Sequence, residues 1–253
     1  MRRAFTLLEL TVVIAIVSVL THLAVRELGK VRNTRLERAA DRQLEEIRSA
    51  AIAFLDDVGR LPRLSAVTNV DGSVSWSLCE LWRRPADVLP SRAVEKDGVC
   101  LAAGWNGPYL KLPFGKSRLL DPWGNPIELE DSARLQRLWA DGSGEITNVC
   151  HYGRTAQAAG KRELSLLPDG GKCGTLILSV DAGDWAGDVS CRWYAPHGSD
   201  VTNSATLTHP AGRQFVFEDV PCGRRMVRVS AAGTTVRQIT VEGGVNLIEL
   251  KAR

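Results

Sequence analysis

Met1-Arg2-Arg3-Ala4-Phe5-Thr6-Leu7-Leu8-Glu9-Leu10 opens the stretch whose reading decides the fold. Two arginines and a small residue precede Phe5, and from Phe5 to Val25 the chain is almost uninterrupted hydrocarbon. A helix needs about 20 such residues to cross a bilayer core. Glu9 is the exception, because a carboxylate in such a segment is costly and by default marks function. The first proline is Pro62, so nothing breaks a helix before then. Leu28, Val31, Ala40, Leu44, Ile47, Ala51, Phe54 and Val58 recur mostly at three- and four-residue steps, which places them on one helical face. Arg35, Glu37, Arg38, Asp41, Arg42, Glu45, Glu46 and Arg48 occupy the opposite face. Gly59 and Pro62 supply the stop. One helix over residues 5–58 is therefore expected, with residues 5–25 in the membrane.

Arg-Arg-Ala-Phe-Thr-Leu-Leu-Glu-Leu resembles the N-terminal signal of type IV pilins and of type II secretion pseudopilins. The resemblance implies a leader of residues 1–4 and cleavage by prepilin peptidase between Ala4 and Phe5. It also implies methylation of the new amine on Phe5, and a role for Glu9 in assembly, paired with a neighbour's N-terminal amine. Ala4 departs from the usual glycine but is still small. An ordinary secretory signal would end in an Ala-x-Ala-like site, which does not follow this apolar run. A twin-arginine signal is disfavoured by Glu9, and a plain anchor is the unspecialised alternative. The charges of Arg26, Lys30, Arg32, Arg35 and Arg38 would put the following residues in the cytoplasm. The resemblance and the cysteines point outward instead, to an inner-membrane protein with its bulk in the periplasm.

The chain has 253 residues, enough for an anchor and two modest domains. With 32 basic and 29 acidic residues its charge is nearly balanced, so nothing demands nucleic acid. Six cysteines (Cys79, Cys100, Cys150, Cys173, Cys191 and Cys222) all follow the apolar segment. An even number there suggests disulfides in an oxidising compartment. No Cys-x-x-Cys pair occurs, which argues against zinc. Six cysteines allow 15 pairings. Proximity in sequence favours Cys79 with Cys100, Cys150 with Cys173, and Cys191 with Cys222.

Residues 59–167 form the expected head. Asp71-Gly72 reads as a hairpin turn between two short strands, and Leu78 to Trp82 as a short helix. Asp121-Pro122-Trp123-Gly124-Asn125-Pro126 has the composition of a tight turn. Pro122 and Gly124 bend it, Asp121 and Asn125 bond its backbone, and Trp123 pins it to the core. Together with Gly107-Pro108-Tyr109-Leu110 and His151-Tyr152-Gly153-Arg154, this turn resembles the loop entering the sheet of the major pseudopilin. Strands are expected over 126–130, 135–140 and 145–152, with a turn at 141–144. The calcium loop that the resemblance implies is replaced by Arg154 to Arg162, which contains no carboxylate, so no metal is expected. Asp141 and Glu145 read as turn residues.

Pro168-Asp169-Gly170-Gly171 marks a linker over 168–173. Beyond it, seven short strands are expected at 175–180, 188–194, 205–208, 213–217, 225–230, 235–241 and 245–250, a β-sandwich over 174–253. Phe215-Val216-Phe217-Glu218-Asp219-Val220-Pro221-Cys222-Gly223 resembles a hallmark of carboxypeptidase-regulatory-like (transthyretin-like) domains, and an immunoglobulin-like sandwich is the alternative. The fold class is thus α+β: a long N-terminal transmembrane helix packed on a small antiparallel sheet, the pilin fold, then an all-β sandwich.

No nucleophile elbow, zinc-protease motif or phosphate loop occurs. His22, His151, His197 and His209 fall in no catalytic set, and the seven tryptophans read as packing residues. Neither enzyme activity nor a cofactor is expected. The expected partners are copies of itself, other pseudopilins, prepilin peptidase, the inner-membrane assembly platform and the membrane. The alternative role is a minor pilin or adhesin of a type IV pilus with the sandwich as its binding head.

Overall fold

The computed structural model describes residues 7–63, 65–68, 74–112, 119–124, 127–129, 148–151, 162–166, 171–210 and 214–252. Helix α1 runs Leu7–Val58, 52 residues, or about 78 Å at 1.5 Å per residue. Gly59 ends it as the sequence predicts. Its N–H donates to Leu55 O at 2.8 Å, and its φ of +79° is the left-handed conformation that glycine adopts without a Cβ penalty.

The two halves of α1 differ in what covers them. From Leu10 to Leu23 the large apolar side chains are about half exposed or more, and α1 as a whole is long and apolar enough, by length and composition, to cross a membrane. Inside it, the Ser18 hydroxyl donates to Ile14 O and the Thr21 hydroxyl to Val17 O, both at 2.8 Å. These local bonds satisfy hydroxyls that hydrocarbon could not. From Ala40 onward the predicted face is buried: Ala40, Leu44, Ile47, Ala51, Phe54 and Val58. Leu28 and Val31 share that periodicity but are exposed, because the head begins only further along the helix.

The head packs on this distal half. Its core joins Leu44, Ile47, Ala51, Phe54 and Val58 to Leu78, Leu81, Val88, Leu119 and Leu166. Phe54 is fully buried, and truncating it to alanine is expected to cost about 3–5 kcal/mol. Strands β1 (Ser65–Thr68) and β2 (Val74–Ser77) pair antiparallel, as a hairpin about Asp71-Gly72 requires, while those two residues lie outside the described ones. The short helix expected at Leu78 is a single 3-10 turn, Cys79–Leu81. Strands β3 (Arg92–Lys96) and β4 (Val99–Ala103) form a second hairpin. Strands β5 (Glu128–Leu129), β6 (Asn148–His151) and β7 (Arg162–Ser165) make a three-stranded antiparallel sheet. The expected strand over 135–140, the turn at 141–144 and most of the loop after Tyr152 lie outside the described residues.

Among the described residues beyond Gly171, every regular element is a strand. Strand β8 is Cys173–Asp181, β9 Asp188–His197, β10 Asp200–Asn203, β11 Leu207–Pro210, β12 Gln214–Pro221, β13 Gly223–Ser230, β14 Thr234–Val241 and β15 Gly244–Lys251. One sheet has the order β10-β9-β13-β14, with β11 also on β9. The other has the order β12-β8-β15, in which β15 runs parallel to β8. Alternating burial along β8 sends Leu176, Leu178 and Val180 inward. There they meet Phe215, Phe217, Val227, Val229, Ile239 and Leu250 from both sheets, which is the core of a sandwich. Strand β10 is one more than the sequence predicted. A register shift between Phe217 and Val220 forms a bulge, with Asp219 at φ +54°, a conformation in which Asp is enriched.

The pairings expected from cysteine proximity are not present. Cys79, Cys100, Cys173, Cys191 and Cys222 are free thiols. Register explains why Cys191 does not meet Cys222. Cys191 lies opposite Val229 in the middle of the sheet, seven positions along the strand from Cys222, or about 23 Å at 3.3 Å per residue. Of Cys150, the described feature is its place on β6.

Candidate functional site

Two regions carry the sequence's functional expectations. The first is the N-terminus. Ala4 and Phe5 lie outside the described residues, and Glu9 is placed by its backbone within the first turns of α1.

The second is the distal end of α1, where head and sandwich converge. Here the turn motifs act as clamps. Asp121 is buried and its Oδ1 accepts the Trp123 N–H at 3.0 Å. Gly124 N–H donates to Asp121 O at 2.9 Å, and Gly124 has φ +90°. Gln43 of α1 ties this turn to the helix through Leu120 O at 2.9 Å. Pro122 and Trp123 are half-buried, and the core residues this segment supplies are Leu119 and Ile127. Asn125 and Pro126 lie outside the described residues.

Gly107-Pro108-Tyr109-Leu110 locks the helix end. The N–H groups of Tyr109 and Leu110 both donate to Leu81 O, and the Tyr109 hydroxyl donates to Asp57 Oδ2 at 3.0 Å. The Tyr109 ring meets Phe54 and Trp105 edge-on. Burial pushes its pKa well up, so it stays a donor. Nearby, Arg60 forms a two-pronged pair with Glu80 at 2.6 and 3.0 Å, and its guanidinium lies over Phe54.

The sandwich docks against the same end. Gly198 N–H donates to Val58 O at 2.7 Å, capping a carbonyl the helix leaves open. Gly223, at φ +112°, leaves room for the Asp56 carboxylate, whose Oδ1 would be 1.7 Å from a Cβ there. Arg224 reaches Asp57 at 3.3 Å and Asp56 at 3.8 Å. Arg225 is fully buried. Its guanidinium donates to the carbonyls of Pro221, Cys222 and Arg224, and it lies close enough to Asp56 for their charges to interact. Burial brings its pKa down to about 10 against that partial compensation.

Hairpin β3–β4 makes a third contact. Its tip, Asp97-Gly98, has positive φ at both residues, the geometry of a tight two-residue hairpin loop. Asp97 Oδ2 accepts from Arg192 at 2.9 Å, the Tyr194 hydroxyl at 3.2 Å and Asn203 at 3.4 Å. Arg228 donates to the Asp97 carbonyl at 2.7 Å. Lys96 donates to Val201 O, and Ser199 Oγ accepts from Leu89 N–H. Beneath these polar contacts, Val99 and Ala103 pack on Tyr194 and Val201. The sequence carries a signal for this hairpin: an Asp-Gly pair between Arg92-Ala-Val-Glu-Lys and Val99-Cys-Leu.

The histidines are scattered. His22 is on the exposed helix half, His197 ends β9, and His209 leans on Phe215 from β11. Among the described residues no group of three or more His, Cys, Asp or Glu could hold a metal.

The chain's exposed apolar half-helix, with β-rich bulk on its other half, fits membrane anchoring through the N-terminal segment. Its N-terminus carries the corresponding signal. The family model described as the prokaryotic N-terminal methylation motif matches residues 1–25. No curated protein and no solved structure matches the chain. A prepilin-type motif implies processing by prepilin peptidase and assembly into pilus-like fibres, and points to a structural role.

Proposed function

We propose that the chain is a pseudopilin of a type II secretion system. It is cut between Ala4 and Phe5 and methylated on Phe5. It then joins a short periplasmic fibre of its own copies and other pseudopilins on the inner-membrane assembly platform. The observation that carries this reading is the methylation motif on an apolar half-helix with exposed side chains. Among the described residues those side chains have no covering partner within the subunit, and they need either lipid or neighbouring helices. The secretion branch rests on the Asp121–Pro126 turn and on Gly107-Pro108-Tyr109-Leu110, whose clamping of α1 gives both motifs a physical role.

The sandwich is read as a carboxypeptidase-regulatory-like module. It contacts α1 at Asp56 to Gly59, about 47 Å along the axis from Val25, where the apolar run ends. That distance supports reading the sandwich as held clear of the bilayer, on the outside or at the tip of a fibre. The same position favours the second reading, a minor pilin with the sandwich as binding head. Deleting the gene separates the two. Loss of secreted enzymes with normal twitching and adhesion supports the first, and normal secretion with lost adhesion overturns it.

A further inference from the structure

We propose that the outer face of the five-stranded sheet binds a small oxyanion, a carboxylate or phosphate group, through Arg228, Ser190 and Ser230. This goes beyond the fibre reading and does not depend on it. Register sets Arg228 of β13 directly opposite Arg192 of β9, and Ser230 directly opposite Ser190. Like charges directly across a strand pair repel unless something of opposite sign sits between them. The carboxylate facing them is Asp97, and it serves one arginine. Its Oδ2 is 2.9 Å from Arg192, whose other terminal nitrogen donates to Thr206 Oγ1 at 2.5 Å.

Arg228 is placed differently. Its bond to Asp97 goes to the backbone carbonyl at 2.7 Å, a neutral acceptor, and among the described residues it makes no ion pair with a carboxylate. A guanidinium has five N–H donors, which leaves a donor edge of Arg228 toward the hollow beside it. That hollow, about 250 Å³, is lined by Ser190, Arg192, Thr206, Arg228 and Ser230, with Asp97 and Tyr194 at its wall. Its lining is polar and its size suits a group of a few heavy atoms. An oxyanion there would accept charge-assisted hydrogen bonds from Arg228. It would also accept from the Ser190 hydroxyl and from that of Ser230, which lies 3.3 Å from Thr234 Oγ1 and donates to the anion while accepting from Thr234, and it would relieve the Arg192–Arg228 repulsion.

The test uses the mature full-length chain in detergent micelles at constant ionic strength, with chloride as balancing anion. Calorimetric titration with inorganic phosphate and, separately, with acetate is expected to show saturable binding of at least one. A response to phosphate alone marks a phosphate-bearing source, and one to acetate a carboxylate-bearing source. Arg228→Gln, and the double change Ser190→Ala with Ser230→Ala, should each weaken binding at least tenfold, with partial recovery in Arg228→Lys. No saturable binding of either anion, or wild-type affinity in the serine double variant, overturns the proposal. The serine double variant leaves the contacts of Asp97 with Arg192, Tyr194, Asn203 and Arg228 intact, so it decides the matter even if Arg228→Gln fails to fold.

Discussion

A Cβ on Gly59 would lie 2.0 Å from the carbonyl oxygen of Pro196. One glycine therefore ends the long helix and seats the sandwich against it. Its positive φ stops α1, and its missing side chain lets β9 approach. Gly59→Ala meets both obstacles at once. The left-handed conformation alone costs about 1–2 kcal/mol with a Cβ, and the clash adds to it. The variant should unfold at lower denaturant and be cut faster by protease between head and sandwich. Stability within about 0.5 kcal/mol of wild type would show that the contact is not closely packed.

Asp56 links the same interface to pH. Burial raises its pKa above the ordinary 3.8, with Arg225 and Arg224 pulling the other way. A carboxyl whose folded pKa exceeds its unfolded one favours the fold while protonated. That contribution is full below the unfolded value and is lost as pH rises through the folded one. The stability of wild type relative to Asp56→Asn should therefore fall as pH rises from about 3 into the mildly acidic range. Paired denaturant melts across that range check it, and a flat or rising difference would contradict the burial of Asp56.

The thiols should react in a set order. Cys100 is exposed on the outer face of β4, whereas Cys191 and Cys222 are buried. Burial pushes their thiols up to about 12 and about 11. Since the thiolate is the reactive form, alkylation of the folded chain near pH 8 should label Cys100 early. Cys191 and Cys222 should be labelled after unfolding. Peptide mass spectrometry reads the order, and early labelling of Cys191 would mean that the sandwich core opens readily.

Glu9 carries a prediction about assembly. The prepilin resemblance pairs the Glu9 carboxylate with the Phe5 amine of a neighbouring subunit in the fibre. Burying the charges of the Phe5 amine and a carboxylate is tolerable when they pair. Glu9→Ala should leave cleavage after Ala4 unchanged while lowering the yield of sheared fibres severalfold. Normal fibre yield would rule the pairing out.

The helix and the sandwich were legible in the sequence because their signals are local and repeated. Gly59 and the apolar steps from Ala40 to Val58 mark a helix, and alternation along residues 173–181 marks a strand with one buried face. The exposure of Leu28 and Val31 was not legible, since periodicity assigns a face but says nothing about where the covering domain begins. The docking surface was hidden for a related reason. Gly223 closes the Phe215–Gly223 stretch in sequence, and only the tertiary fold brings the Asp56 carboxylate against it. Asp97-Gly98 had a hairpin signature, yet its partners Arg192, Tyr194 and Asn203 lie about a hundred residues away. The same long-range register separates Cys191 from Cys222, which sequence proximity had paired.

The central claim is that this chain matures as a prepilin, and intact-mass and N-terminal peptide analysis of the protein from its native membrane tests it most directly. Maturation predicts a chain that begins at Phe5 with one methyl group on its amine. A chain that retains Met1, or one that begins further along without methylation, would contradict it.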